Sequence, residues 1–203
     1  MKNRTNVRWL TQIALLAAIL LVLNYTPLGY LQVGPLAASL LTVPVAIGAI
    51  TMGPAAGALL GALFGATSFL QALQGKSVMG GALFAASPAG YFVVSVIGRV
   101  LMGLCVGLIF AALQKALPKK EKLTCYIAAF CAPFLNTVFY MGLLVAIFYN
   151  SEFVQNLAAK KGATNPLMFI ALVVGVQAVI EWCVCCAVAG TITLPVRKYM
   201  KNN

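Results

Sequence analysis

Residues 88–113 read PAGYFVVSVIGRVLMGLCVGLIFAAL, an apolar run that carries a single charged side chain, Arg99. A helix that crosses a bilayer needs about 20 apolar residues, so this run is long enough to span a membrane. The whole chain has the same character, with 62% hydrophobic residues, 8% charged residues and a mean hydropathy of +0.98. The alternating pattern typical of membrane β-strands is absent from the sequence. The sequence therefore predicts an all-α integral membrane protein.

The apolar runs divide the chain into candidate spans. We predict a single six-helix membrane domain over residues 1–203, with spans at about 8–25, 37–52, 54–73, 88–113, 124–148 and 166–195. The first run lacks a small-residue cleavage site after a short apolar core, so we interpret it as a retained helix and not as a signal peptide. The second run is short and Pro44 interrupts it. The very short turn at residues 52–54 makes the second and third spans adjacent and antiparallel.

The net charge of +11 is distributed along the chain as a topology signal. Basic residues precede the first span, fill the loop between the fourth and fifth spans, and follow the sixth: Lys2, Arg4, Arg8, Lys115, Lys119, Lys120, Lys122, Arg197, Lys198 and Lys201. The opposite loops hold only Lys76, Lys160 and Lys161. Cytoplasmic loops of membrane proteins are enriched in Lys and Arg, so we predict that both termini are cytoplasmic. The basic excess needs no nucleic-acid partner.

Two segments on the predicted outer side are irregular. Residues 26–35 contain two prolines and two glycines, which forbid a continuous helix. The segment is nevertheless largely apolar. It therefore either packs onto the bundle as a lid or forms a tight connector with Tyr25 and Tyr30 at the interface. Residues 74–81 are predicted to form a second irregular loop beside the same mouth.

Small residues indicate close helix packing. One face of the third span carries glycines at four-residue intervals: Gly53, Gly57, Gly61 and Gly65. This face lets another helix backbone approach closely. Ala14 and Ala18 form a similar small-xxx-small pattern on the first span, which serves internal packing or a partner subunit equally well.

Arg99 and Glu181 are the only acid and base buried deep within the apolar runs. A charge near the bilayer centre costs roughly 2.5 to more than 10 kcal/mol, so each group needs a partner and a purpose. Counting about 1.5 Å per residue places Asn136 at a similar depth. Tyr140 lies one helical turn from Asn136, and Gln177 lies one turn from Glu181. We predict that these five side chains bind a substrate.

Two interpretations of this polar group stay open and are compatible. In the first, Arg99 and Glu181 form a buried ion pair that fixes helix packing. In the second, Arg99 receives a ligand carboxylate in a forked pair, while Glu181 and the amides receive hydroxyl or amide groups.

Enzyme chemistry has little support in the sequence. The chain has no His, and its three acidic residues are all Glu. This composition excludes a His-dependent metalloprotease, a Ser-His triad and a two-carboxylate hydrolase. No Gly-x-x-x-x-Gly-Lys-[Ser/Thr] motif is present, so the chain does not hydrolyse ATP through a P-loop. The six cysteines are interpreted as packing residues, and we expect no cofactor and no metal.

Several local strings together resemble one family, the substrate-binding S components of energy-coupling factor (ECF) vitamin transporters. The strings are TPLGY at 26–30, VGP at 33–35, PVAIGAITMGP at 44–54, GALFG at 61–65, SP at 87–88 and GRVLMG at 98–103. LNT at 135–137 and the last span with Glu181 resemble the pantothenate-type branch. Ala14-x-x-x-Ala18 is similar to the motif of the first span that docks the transmembrane coupling subunit.

The resemblance implies that the chain captures a small water-soluble vitamin or precursor at the cell membrane, with pantothenate as the favoured ligand. It also implies a transmembrane coupling subunit and two cytoplasmic ATPase subunits as partners. Arg99 suits an acidic ligand, and few stacking residues are available for a large ring system. Two other classes remain as alternatives: a self-contained secondary carrier or channel, and a membrane scaffold whose polar residues only specify packing.

Overall fold

The computed structural model describes the backbone of residues 2–26, 29–33 and 36–202, and the side chains of residues 7–26 and 39–200. The first four helices among the described residues are α1 (Lys2–Tyr25), α2 (Thr42–Met52), α3 (Pro54–Leu73) and α4 (Val78–Ala86). They are followed by α5 (Pro88–Phe92), a π-helical turn (Val93–Ile97), α6 (Gly98–Ala116), α7 (Glu121–Phe148), α8 (Glu152–Lys161) and α9 (Pro166–Asn202). Strands β1 (Tyr30–Val33) and β2 (Leu36–Ser39) lie between α1 and α2.

Five described helical segments are long and apolar enough to cross a membrane: Val7–Tyr25, Pro54–Leu73, Pro88–Ala116, Glu121–Phe148 and Pro166–Met200. The prediction of a helical membrane protein is confirmed.

The second predicted span, 37–52, is wrong at its start. Residues 37–39 belong to β2, and α2 begins only at Thr42. The 11 residues of α2 rise about 16 Å, roughly half of a bilayer core of about 30 Å. Nine of them are buried, so α2 lies inside the bundle and is too short to cross a membrane by itself.

The irregular segment 26–35 contains the first strand of a β-hairpin, whose second strand follows it directly. Strands β1 and β2 pair antiparallel, with Tyr30 opposite Ser39 and Val33 opposite Leu36. The backbone N–H of Leu40 donates to the Gly29 carbonyl at 2.8 Å, which closes the base of the hairpin. The predicted absence of a continuous helix is confirmed, while Pro27 and Pro35 lie outside the described residues.

We call the end of the bundle that carries this hairpin, α4 and α8 the hairpin end. The opposite end, where α1 begins and α9 ends, is the terminal end. Residues 78–81, predicted as loop, form the first turn of α4 because the Ser77 hydroxyl caps it by accepting the Gly80 N–H at 3.0 Å.

Close packing of α3 against α6 forms the centre of the fold. A methyl group at Gly57 would overlap the carbonyl of Gly103, and one at Gly61 would overlap the carbonyl of Arg99. At the next turn, a methyl group at Gly65 would meet the Ser95 carbonyl. The predicted close backbone approach along the glycine face is thus confirmed, and it fixes the position of α6 at the residue that carries the buried charge.

The turn between α2 and α3 is as tight as the sequence predicts. Gly53 alone separates the two helices, and its φ of 94° is a conformation that glycine adopts without strain. Pro54 then occupies the first turn of α3, where its missing N–H breaks no helical hydrogen bond. The two helices are therefore adjacent and antiparallel.

Candidate functional site

A polar cavity of about 410 Å³ lies in the hairpin half of the bundle. All five side chains predicted to bind substrate line it: Arg99, Asn136, Tyr140, Gln177 and Glu181. The structure adds residues that the sequence did not single out: Ser39, Phe64, Ser68, Ser77, Met79, Thr137, Met141, Val173, Val174 and Ala178. Residues from β2, α3, α4, α6, α7 and α9 therefore converge on one volume.

Arg99 lies in the first turn of α6 and is 9% exposed. Its Nη1 donates to the backbone carbonyl of Ser95 at 2.8 Å. The ring centroids of Phe64 and Tyr140 lie 4.3 and 4.9 Å from its Cζ, so both rings make cation–π contacts with the guanidinium. These contacts hold a planar cation at the cavity wall.

The backbone just before Arg99 is irregular. Residues Val93–Ile97 form a π-helical turn that joins α5 to α6. Such turns are rare and occur frequently at functional sites. The Ser95 hydroxyl donates to the Tyr91 carbonyl at 2.7 Å, and Ser95 is fully buried. The turn and the glycine face of α3 together set where the guanidinium enters the cavity.

Glu181 is 7% exposed and connects the hairpin to α9. Its Oε1 accepts the backbone N–H of Ser39 at 2.7 Å and the Gln177 Nε2–H at 3.1 Å. The predicted neighbourhood of Glu181 and Gln177 on one helix face is therefore confirmed. The contact with Ser39 had no sequence signal, because it uses a backbone N–H group that every residue except proline carries.

An ion pair between Arg99 and Glu181 stays a prediction: both side chains line the same cavity, and the hydrogen bonds described for Glu181 come from Ser39 and Gln177. At the terminal end, Arg197 and Glu121 form an ion pair at 2.9 Å. Helical rise predicts the depth of a residue, but contact also depends on the direction of each helix face. Glu181 is directed to Ser39 and Gln177, while Arg99 is directed to Ser95 and two rings.

Asn136 supplies a further polar atom. Its Oδ1 is buried and accepts no hydrogen bond in the described part of the chain. A buried acceptor without a donor costs roughly 1–3 kcal/mol, and a ligand donor at this point would recover that cost. Thr137, the next residue of α7, brings a hydroxyl to the same wall.

A second, mainly polar cavity of about 340 Å³ adjoins the first. The two share Ser68, Ser77, Arg99 and Tyr140. The second cavity adds Gln71, Lys76 and Tyr91, and Lys76 is exposed at the hairpin end. A polar path therefore leads from the exposed surface to the guanidinium of Arg99.

Taken as chemistry, the site offers one buried cation, one buried carboxylate, two amides and several hydroxyl groups. These groups are chemically suited to pair with an acidic group and to hydrogen-bond hydroxyl or amide groups. Within the residues that the structure describes, no three His, Cys, Asp or Glu side chains come together as a metal site would require.

Ala14 and Ala18 are exposed on α1, away from this cavity. Large apolar neighbours on the same helix are exposed too, among them Leu10 at 63% and Val22 at 56%. The described residues of the chain therefore leave this face of α1 uncovered.

Comparison with known proteins gives one decisive result. No curated protein matches the chain. The model of one protein family, described as "ECF transporter, substrate-specific component", matches residues 8–193, which include every residue that lines the cavity. The chain therefore belongs to the family of substrate-specific S components of ECF transporters.

Proposed function

We propose that this protein captures a small water-soluble vitamin or vitamin precursor that carries a carboxylate, with pantothenate as the favoured ligand. The family supports the role of a substrate-binding subunit in an importer. The choice of ligand rests on one observation: two groups of opposite charge, Arg99 and Glu181, line the same cavity.

Arg99 is the group that selects the carboxylate. Its guanidinium is buried at the cavity wall, where it contacts the Ser95 carbonyl and the rings of Phe64 and Tyr140. A ligand carboxylate in the cavity would form paired N–H···O bonds with it.

Glu181, Gln177 and Asn136 suit the other end of the ligand. Pantothenate carries hydroxyl groups and an amide N–H, all of which donate hydrogen bonds. The buried Asn136 Oδ1 and the Glu181 carboxylate are acceptors on the same cavity. A cavity of about 410 Å³ lies within the usual range of about 300–1,000 Å³ for small-molecule sites.

The aromatic residues argue for a small flexible ligand and against a large ring system. The Phe64 and Tyr140 rings are engaged with Arg99. Trp182 contacts Phe130 and Phe134, with ring centroids at 5.7 and 5.3 Å. A flavin or a cobalamin would need free ring faces to stack upon.

The proposal extends to partners and topology. Ala14 and Ala18 form the centre of the surface for a transmembrane coupling subunit, and two cytoplasmic ATPase subunits supply the energy. The termini lie in the cytoplasm of a cell whose plasma membrane the chain crosses six times, with the β-hairpin and α2 together making the second crossing. The hairpin end then faces outward, where Lys76 and the adjoining cavity receive the ligand.

The test is calorimetric titration of the purified protein with pantothenate and with pantothenol, in which an alcohol replaces the carboxylate. Wild-type protein is expected to prefer pantothenate by about hundredfold. The Arg99→Gln variant should bind the two compounds within about threefold of each other. Equal binding of both compounds by wild-type protein would refute the role of Arg99, and binding of neither would refute the choice of ligand.

A further inference from the structure

A long groove runs along the flank of the bundle, far from the polar cavity. It consists of two connected cavities of about 730 and 310 Å³, which share Gln12, Thr51 and Met52. Helices α1 and α9 form its walls and α2 forms its floor. The groove exists because α2 is only 11 residues long and is buried, so no full-length helix fills the space between α1 and α9.

The inner part of the groove is an apolar slot. Its lining is Leu15, Leu16, Ile19, Leu23, Val43, Pro44, Ile47, Ile192 and Val196, with Gln12, Thr51 and Met52 at the terminal end. From Gln12 to Leu23 the slot follows α1 for about 16 Å, because each residue rises about 1.5 Å. That length is about half of a hydrocarbon core of about 30 Å, the depth that the acyl chains of one leaflet occupy.

The mouth of the slot has a mixed lining that includes one basic side chain, Arg8. Arg8, Thr11 and Gln12 line it from α1, and Tyr199 lines it from α9. Trp9 belongs to the same lining, and Trp and Tyr are enriched at the interface between lipid and water. No acidic residue appears among the described residues of either part of the groove.

The slot differs from the small-residue surface of α1. Ala14 and Ala18 do not line it, whereas Leu15 and Ile19 do. A helix turns by 100° per residue, so the two pairs lie on neighbouring faces. A helix of a coupling subunit on Ala14 and Ala18 would therefore lie beside the slot.

We propose that the groove binds an anionic phospholipid, with the phosphate group at Arg8 and one acyl chain along the slot. A basic side chain between membrane helices recognises anionic headgroups, and an apolar slot recognises an acyl chain. The two features are continuous here, since the two cavities share three residues. This lipid site does not depend on the identity of the vitamin.

Native mass spectrometry of the full chain, delipidated in detergent, tests the site. The protein is titrated with phosphatidylglycerol or with phosphatidylcholine of the same acyl chains. We expect the first phosphatidylglycerol to bind at least about fivefold more tightly, the factor expected for one basic side chain beside an anionic headgroup. The Arg8→Gln variant should remove this preference, and Lys198→Gln, at an exposed lysine outside the groove lining, should retain it.

A second variant tests the slot itself. Ile192→Trp fills it and should weaken the first binding event of both lipids by at least about fivefold. Ile147→Trp is the matched control, because Ile147 is 43% exposed, as Ile192 is 42% exposed, but lies on α7 outside the groove. Equal affinities for the two lipids in wild-type protein would overturn the proposal. So would loss of coupling-subunit assembly in Ile192→Trp with unchanged lipid binding, since the slot would then hold a protein helix.

Discussion

Two arginines in opposite halves of the bundle show how a membrane protein uses the same cation in two ways. At the terminal end, Arg197 Nε lies 2.9 Å from Glu121 Oε1, and its Nη1 donates to the Ile50 carbonyl at 2.8 Å. The Phe110 ring lies 4.5 Å from its Cζ. In the hairpin half, Arg99 also has a carbonyl and aromatic faces, but it lines a cavity.

The carboxylate makes the difference between the two sites. Glu121 is within ion-pair distance of Arg197, and both side chains are partly exposed, at 34% and 13%. Glu181 instead accepts hydrogen bonds from Ser39 and Gln177. Arg197 therefore holds α9 to α7 and α2 as part of the fold, whereas Arg99 lines a cavity in which we propose that a ligand carboxylate binds.

The largest effect is expected from Arg99→Leu. Loss of the buried cation should weaken pantothenate binding by about hundredfold or more, because the ligand carboxylate would be buried without a partner. The fold should survive, since Leu suits an apolar helix wall. Calorimetric titration gives the affinity and thermal unfolding gives the stability. A normal affinity in this variant would show that Arg99 does not bind the ligand carboxylate.

Arg197→Leu is expected to lower stability and to leave ligand binding intact. It removes the guanidinium that donates to Glu121 and to the Ile50 carbonyl, so the free energy of unfolding should fall by about 1–3 kcal/mol. Pantothenate affinity should stay within about threefold of wild type, because Arg197 lies at the other end of the bundle. Unfolding by denaturant measures the effect, with Lys198→Gln as the control at an exposed neighbour. A weak ligand site in a stable Arg197→Leu protein would contradict this division.

Gly61→Ala should move the backbone of Arg99 while keeping its side chain. The added methyl group overlaps the Arg99 carbonyl, so α3 and α6 must separate. We expect a loss of about 1–3 kcal/mol in stability and weaker ligand binding. Gly142→Ala is the matched control, since nothing lies within 4 Å of the new methyl group there. If both variants bind ligand like wild type, the glycine face does not position the guanidinium.

Glu181→Gln should have the smallest effect. Glutamine keeps an oxygen that accepts the Ser39 N–H, so the hairpin contact is retained. The lost negative charge should weaken ligand binding by about tenfold, since hydrogen bonds to charged groups are about twice as strong as neutral ones. Glu152→Gln, at the exposed start of α8, is the control for a change in net charge. Titration of both variants decides the point, and an equal small loss in each would remove Glu181 from the site.

The regular rise of a helix allowed the sequence to predict which candidate residues share a depth in the membrane. A constant rise placed Arg99, Asn136 and Glu181 at one depth, and the structure brings all three to one cavity. The glycines of α3 were equally informative, because only a missing side chain permits that backbone approach.

The features that sequence reasoning missed depend on contacts between distant segments. The apolar residues 37–39 fit the start of a helix equally well, and pairing with β1 decides that they form a strand. The π-helical turn before Arg99 carries no distinctive composition. The partners of Arg99 and Glu181 depend on helix rotation, which apolar lipid-facing sequences specify weakly.

The capture of a carboxylic acid at Arg99 is tested most directly by identifying the small molecule that the protein itself retains. Native mass spectrometry of gently purified protein, followed by release and identification of the bound molecule, needs no assumed ligand. We predict a stoichiometric carboxylic acid of vitamin or precursor type, absent from Arg99→Leu and present in Arg197→Leu. A bound molecule that survives in Arg99→Leu, or wild-type protein that neither retains a molecule nor binds added vitamins, would contradict the claim.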